Sequence, residues 1–213
     1  MDYLRDRQDS RDESATGRQY RSRAFNKYFE GYVEYREPDV NGRMRIKRVY
    51  RGLYYIQDLN IQRRILLRIL YVTLFVACAA LFVYCASRRM DCNTYWYVAA
   101  GQCLCMIGLV WAAYALCNYL FAPQRMTIGA WRSAVRSLQR ASLFMAAATA
   151  ITALMTLLYF ILHRADALAH LYNIGGYLLC TGLMLSLFFI ERRVPYQTVQ
   201  SADPAPEYAE EIG

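Results

Sequence analysis

Residues 141–163 read ASLFMAAATAITALMTLLYFILH and contain no Asp, Glu, Lys or Arg. A helix needs about 20 consecutive apolar residues to cross the hydrocarbon core of a bilayer. Backbone amides in lipid must be hydrogen-bonded within their own segment, so this run predicts a transmembrane helix.

Three further stretches, 69–87, 92–124 and 167–190, are equally free of these charges. We place the four spans at about 66–87, 95–121, 141–163 and 168–190. The predicted fold is an all-α integral membrane protein whose four transmembrane helices form an up-down-up-down bundle. A content of 56% apolar residues, concentrated in these stretches, excludes a disordered chain and an ordinary soluble globule.

The orientation follows from the distribution of the 25 Lys and Arg residues. Twenty-two lie before the first span, between the second and third spans, or after the fourth span. The other 3 lie in the two remaining connections. Cytoplasmic segments collect positive charge, so both termini are predicted to be cytoplasmic. The first 24 residues lack the apolar run of an export signal, and the first span is expected to direct insertion. Short outer connections without Asn-x-Ser/Thr favour a bacterial cytoplasmic membrane.

Outside the membrane domain, 61–191, the chain divides into three parts. Residues 1–24 are polar and are predicted to be disordered, as is the Pro-containing tail 192–213. The Tyr- and Arg-rich segment 25–60 is predicted to form a small cytoplasmic β-hairpin. Its strands, 31–37 and 43–51, would pair across Pro38-Asp39-Val40-Asn41-Gly42, because Asn-Gly favours a tight reversal.

The connection between the second and third spans also predicts a helix. Arg132, Arg136 and Arg140 recur every four residues and form one basic stripe, which fits either an interfacial helix or a solvated extension of span three. Together with the cations before the membrane, this stripe predicts a surface that contacts anionic lipid headgroups or a protein partner. The predicted contact residues are Arg43, Arg45, Lys47, Arg48, Arg51, Arg63, Arg64, Arg132, Arg136 and Arg140.

Association of helices in lipid depends on close packing and interhelical hydrogen bonds, since the hydrophobic drive between them is small. Small residues spaced four apart are typical of such contacts. The predicted packing residues are Gly108, Ala112, Ala146, Ala150, Gly182 and Ser186.

Few features of the sequence point to a catalytic function. No ionisable group lies inside a predicted span, since Arg68 and His163 are near the ends of theirs, and this disfavours ion-coupled transport. Seven cysteines without a CxxC motif, of which only Cys92 lies in an outer connection, fit small buried hydrophobes better than a thiol oxidase. His163, Asp166 and His170 cluster at one outer turn, but their spacing matches no metal signature. We expect no catalytic residue, metal or cofactor.

The sequence therefore predicts a non-catalytic accessory or scaffold subunit that docks a partner or anionic lipid through its basic cytoplasmic face. Its partners would be lipid headgroups and a protein or a second copy of the chain, and not nucleic acid. The alternative is a small transporter or channel subunit with a polar path through Gln102, Asn118 and the Thr residues. Thiol or metal enzymology at the outer turns is the third candidate.

Overall fold

The computed structural model describes residues 32–38, 44–163, 167–200 and 210–211. The chain divides into two compact units. One contains the described parts of Met1–Tyr54, Thr127–Gly129 and Thr198–Gly213, and the other contains Tyr55–Met126 and the described parts of Ala130–Gln197.

Four helices dominate the structure: α1 (Ile61–Ser87), α2 (Trp96–Leu120), α3 (Ile128–His163) and α4 (Ala167–Arg192). All four are long and apolar enough to cross a membrane, which confirms the prediction of four helices with the length and composition of spans. Many large apolar side chains on them are exposed, as expected of helices surrounded by lipid, including Leu66, Val110, Ile161 and Leu162. The molecule fits a multi-pass membrane protein.

The third helix is longer than its predicted span, since it begins at Ile128 rather than near residue 141. The predicted helix before span three is thus part of α3, interrupted only by a π-helical segment at Arg132–Arg136. No Gly or Pro lies between residues 130 and 163, so nothing in the chemistry of the chain breaks the helix there. Val135 and Leu138 are buried while Arg136 and Arg140 are exposed, which makes this extension amphipathic.

Within the bundle, α3 packs against both α2 and α4, and α1 packs mainly against α4. The contact between α1 and α2 is the smallest of the four side-by-side pairs. The close approach of α2 to α3 depends on glycine residues, which have no side chain. A Cβ atom at Gly101 would lie 2.8 Å from the Thr152 hydroxyl, and one at Gly108 would lie 3.0 Å from the Met145 sulfur.

Two small sheets accompany the helices. In the first, β1 (Tyr32–Pro38) pairs antiparallel with β2 (Met44–Tyr50), so that Tyr32 lies opposite Tyr50. The short strand Glu210–Glu211 adds to the other edge of β1. The predicted reversal is 38–42, of which Pro38 is the last residue of β1 and residues 39–42 lie outside the described residues, as does the predicted disordered segment 1–24.

The second sheet contains β3 (Leu53–Gln57), β4 (Arg125–Met126) and β5 (Tyr196–Gln200), with β3 in the centre. The sequence predicts disorder throughout 192–213, whereas residues 196–200 form this edge strand; the prediction does not hold for them. The backbone of Asp58 also bonds to the Pro195 carbonyl at 3.1 Å. Main-chain pairing to β3 is a long-range interaction that the composition of the tail does not reveal.

The side chain of Tyr50 makes several contacts within the first unit. Its hydroxyl donates to the Leu53 carbonyl at 2.8 Å and accepts the Ile128 amide at 3.0 Å, which satisfies a free N–H at the start of α3. The ring packs edge-on against Tyr32 and Tyr54. A Cβ atom at Gly52 would lie 2.6 Å from this ring, so a side chain there would force the ring to move.

Candidate functional site

One end of the bundle carries exposed arginines, and we call it the arginine-rich end. The helices α1 and α3 begin at this end, and α2 and α4 end at it. The Arg68 guanidinium of α1 donates to the carbonyl of Ala122, which follows α2, at 3.3 Å. Its exposed cations are Arg63, Arg125, Arg136, Arg140, Arg192 and Arg193. The other end, which contains the 3₁₀ turn Asp91–Thr94, is called the opposite end.

A buried carboxyl group lies at the arginine-rich end. Glu191, in the last turn of α4, is 1% exposed. The Tyr71 hydroxyl of α1 donates to its Oε2 at 2.5 Å, and the Tyr196 hydroxyl of β5 donates to its Oε1 at 2.6 Å. These distances are those of charge-assisted O–H···O⁻ bonds, so each carboxylate oxygen has a strong donor.

A second layer of hydrogen bonds surrounds this carboxyl group. The Gln57 side-chain amide of β3 donates to the Tyr119 hydroxyl at 2.8 Å and more weakly to the Tyr196 hydroxyl at 3.5 Å. The rings of Tyr71 and Tyr119 lie 5.4 Å apart. We call Gln57, Tyr71, Tyr119, Glu191 and Tyr196 the carboxyl cluster. It ties α1, α2 and α4 to the sheet that closes this end.

Burial and the nearby Glu191 carboxyl group both raise the pKa of Tyr196 above its ordinary value. The cause is that water is excluded from the hydroxyl and that a second negative charge beside the carboxylate is unfavourable. The hydroxyl of Tyr196 therefore remains a donor to Glu191 well into the alkaline range.

The sequence analysis missed this cluster, because the predicted fourth span ends at residue 190, one residue before Glu191. The helix α4 is longer than the predicted span and continues to Arg192, so it contains Glu191. A signal was present in the helical spacing. The buried face of α4 recurs at alternating intervals of three and four residues, at Tyr177, Cys180, Met184, Leu187 and Glu191.

The predicted contact residues fall into groups. Arg43 lies outside the described residues, and Arg45, Lys47 and Arg48 belong to β2, whose register places Glu37, Tyr35 and Glu34 opposite them. The other six comprise Arg51, Arg63, Arg136 and Arg140, which are exposed, and Arg64 and Arg132, which are half-buried.

Arg136 is held in place by an aromatic stack. Its guanidinium lies 5.4 Å from the centre of the Trp131 ring, and Trp131 stacks on Tyr55 of β3 at 4.7 Å with an interplanar angle of 15°. A cation over an aromatic face is stabilised by the ring quadrupole. This contact restricts the position of the Arg136 side chain, although the residue is exposed.

The predicted packing residues also differ from one another. Gly108, Ala112 and Ala146 are buried between helices, and Ala150 is half-buried. Gly182 and Ser186 instead lie on an exposed face of α4, and a Cβ atom at Gly182 would meet nothing within 4 Å. Spacing alone does not indicate which face of α4 its neighbours occupy.

The opposite end holds a polar network of amides. The Gln102 amide donates to the Asn93 side-chain oxygen at 2.9 Å and to the Tyr177 hydroxyl at 3.0 Å. Asn93 in turn donates to three carbonyls at the end of α1, those of Cys85, Ala86 and Arg88. Gln102 thus fastens the turn Asp91–Thr94 to the bundle. Asn118, the other amide of the predicted polar path, lies near the far end of α2.

The threonines of the predicted path are buried near the middle of the bundle. The hydroxyls of Thr149 and Thr181 lie 2.9 Å apart, which joins α3 to α4, and Thr152 lies 3.3 Å from the Cys105 sulfur. Thr149, Thr152 and Thr156 also donate to carbonyls of their own helix. These bonds satisfy the hydroxyl protons inside the helix pair.

Neither thiol nor metal chemistry gains a site among the described residues. All seven cysteines are free, and burial raises the pKa of the Cys92 thiol, which lowers its reactivity. His163 stacks on Tyr159 at 4.4 Å and lies 3.0 Å from the Tyr95 hydroxyl, while His170 is buried near the same Tyr159. Asp166 lies outside the described residues, and no group of three potential metal ligands occurs within them.

No protein-family model matches this chain, and no curated protein or solved structure is significantly similar to it.

Proposed function

We propose that this chain is a non-catalytic accessory or scaffold subunit that docks an acidic protein partner or anionic lipid headgroups through its arginine-rich end. The observation that carries the proposal is the pair Arg136 and Arg140. Both are exposed on the amphipathic start of α3, on the side away from buried Val135 and Leu138. Arg136 is also held over Trp131.

Charge balance supports this proposal. In the membrane unit, the acidic side chains described near the arginine-rich end are Asp58, which accepts a hydrogen bond from Gln197, and Glu191, which is buried in the carboxyl cluster. Six exposed arginines therefore face few described carboxylates. Each cation near an anionic surface is worth about 1 kcal/mol. In this proposal the arginine-rich end faces the cytoplasm, since positive charge collects on that side.

The test replaces Arg136 and Arg140 with Gln in the full chain and compares it with a matched control, Arg89→Gln with Arg164→Gln. Both variants lose two positive charges, but the control charges belong to the two connections predicted to be outside. Partner recovery is measured by mass spectrometry after a mild-detergent pull-down, and preference for anionic lipid is measured by counting co-purified phosphatidylglycerol against phosphatidylcholine.

We expect the Arg136 and Arg140 variant to lower partner recovery or phosphatidylglycerol preference at least about fivefold, because two contacts of about 1 kcal/mol each are lost. The control should retain both. Loss of the partner alone identifies a protein ligand, and loss of the lipid preference alone identifies headgroups. Unchanged values for both measurements, or equal losses in the control, would contradict the proposal.

A second candidate, a small transporter or channel subunit, is favoured by one specific observation. A carboxyl group is buried at the end of α4, and such groups in membrane segments often belong to ion pathways. Glu191→Gln in proteoliposomes tests it. A docking subunit should give the same small background flux of protons and K⁺ before and after the change, whereas a transporter that uses Glu191 should lose most of its flux.

A further inference from the structure

A groove lies between α1 and α4 near the opposite end of the bundle. Its volume is ≈ 650 Å³, which is within the range of roughly 300–1,000 Å³ for small-molecule sites. Leu81 of α1 and Leu171 and Leu179 of α4 contribute apolar side chains to its wall. The groove is therefore a mainly apolar depression on the surface that the spanning helices present to lipid.

Two consecutive glycines of α4 create the space. A Cβ atom at Gly176 would collide with the Cys85 sulfur, so glycine allows α1 and α4 to approach closely. A Cβ atom at Gly175 would meet nothing within 4 Å, although Gly175 lines the groove. A side chain at position 175 would thus occupy open space, and its absence leaves room for another molecule.

Among the described residues that line this groove, Arg88 is the cation. Arg88 follows the last residue of α1, is half-buried, and its guanidinium lies 5.7 Å from the centre of the Tyr84 ring. The described residues that line the groove include no acidic side chain. An anion bound here would therefore neutralise the positive charge of Arg88. A guanidinium binds a phosphate through directed hydrogen bonds.

The position of Arg88 along the helix indicates the shape of the ligand. From Leu81 to Arg88 the helix advances about 10 Å at 1.5 Å per residue, so the apolar wall runs about one third of the way through a 30 Å hydrocarbon core. Arg88 follows the last residue of α1, and the end of a helix that crosses the hydrocarbon core is where headgroups are expected. We propose that the groove binds one phospholipid, with its phosphate on Arg88 and an acyl chain beside Gly175.

This proposal is independent of the docking surface at the arginine-rich end. The test uses the full-length protein in detergent and native mass spectrometry with added dioleoylphosphatidylglycerol. Dioleoylglycerol, which has the same acyl chains and no phosphate, is the comparison ligand. Two variants change the groove, Gly175→Leu and Arg88→Gln.

Each variant has a matched control in the same part of the molecule. Gly182→Leu adds the same side chain to α4 at another site where nothing lies within 4 Å, outside the groove. Arg89→Gln removes the neighbouring charge, which does not line the groove. Arg88 follows the last residue of α1, and Arg88→Gln adds no atom, so this variant remains informative if Gly175→Leu affects folding.

We expect Gly175→Leu and Arg88→Gln each to lower the occupancy of bound phospholipid at limiting lipid about tenfold, and both controls to keep it. Wild-type protein should retain dioleoylglycerol much less than the phospholipid. Equal retention of the two lipids, unchanged binding in Arg88→Gln, or equal losses in the controls would overturn the proposal. Loss of a dimer without loss of phospholipid in Gly175→Leu would assign the groove to a second copy and also overturn it.

Discussion

Tyr71 and Glu191 are separated by 120 positions in the chain, yet the Tyr71 hydroxyl lies 2.5 Å from the Glu191 carboxylate. This bond joins the first and last membrane helices at the arginine-rich end. Both side chains are almost fully buried, so neither has water as an alternative partner. The bond is therefore expected to affect stability more than an exposed hydrogen bond would.

The first prediction concerns this pair. Tyr71→Phe removes a donor while leaving the carboxylate buried, and it should lower the free energy of unfolding by about 1–3 kcal/mol. Removing both groups, with Tyr71→Phe and Glu191→Leu together, should cost less than the sum of the single changes. In the double variant Tyr71→Phe no longer leaves a carboxylate oxygen without its donor, although the Tyr196 hydroxyl loses its acceptor whenever Glu191 is replaced. Unfolding in detergent mixtures measures all three variants. Additive costs would show that the two side chains are not coupled.

The second prediction concerns alkaline pH. The pKa of Tyr196 is raised in the folded protein, so the folded state holds this proton more tightly than the unfolded state does. Stability from this group should be constant below about pH 10, the ordinary pKa of tyrosine, and should fall as the pH rises above that value. Tyr196→Phe should make this alkaline decrease shallower. Melting temperatures across the alkaline range measure it, and identical slopes would contradict the prediction.

The third prediction tests the contact between Gly52 and Tyr50. Gly52→Ala would place a methyl group 2.6 Å from the Tyr50 ring and should displace the hydroxyl that accepts the Ile128 amide. We expect faster hydrogen exchange at Ile128 and a loss of about 1–3 kcal/mol. Gly129→Ala is the control, because a Cβ atom there meets nothing within 4 Å. Equal exchange in both variants would show that the Tyr50 hydroxyl does not protect this amide.

The fourth prediction concerns Cys92. Its side chain is buried and the pKa of its thiol is raised, so little thiolate is present near neutral pH. A membrane-impermeant maleimide should label Cys92 at least about tenfold more slowly in the folded protein than after denaturation. Rapid labelling in intact cells would revive the redox interpretation, as would loss of a phenotype in Cys92→Ser.

The fifth prediction concerns orientation. The distribution of cations predicts that both termini face the cytoplasm. Tags on either end should resist protease added outside intact cells and should be removed once the cells are opened. An engineered tag in the connection between the first and second spans, after Arg89, should be removed by protease added outside intact cells. Cleavage of a terminal tag in intact cells would invert the assignment of the arginine-rich end.

The sequence predicts the helices well and the strands of the second sheet poorly. Long uncharged runs have few alternatives to a membrane helix, because lipid leaves an unpaired backbone no water to bind. The strands β3, β4 and β5 are short. The pairing of β3 with β5 forms only because the tail returns beside Leu53–Gln57. The carboxyl cluster depends on the same return, since Tyr196 belongs to β5.

The glycines of α4 show where sequence patterns stop being informative. Gly182 and Ser186 have the four-residue spacing of a packing contact but lie on an exposed face, whereas Gly176 packs against Cys85 and Gly175 lines a groove. A glycine has no side chain whose chemistry could reveal its environment. Its role depends on the residues that the neighbouring helix places opposite it.

The sequence by itself determined four helices that are long and apolar enough to cross a membrane, and the positions of the positive charges along the chain, because solvation in lipid acts on each segment separately. Only the tertiary structure decided that Glu191 is buried between Tyr71 and Tyr196, and that the space at Gly175 remains open beneath Arg88. These features depend on contacts between residues far apart in the chain. Such contacts follow from the packing of whole helices, which no local pattern specifies.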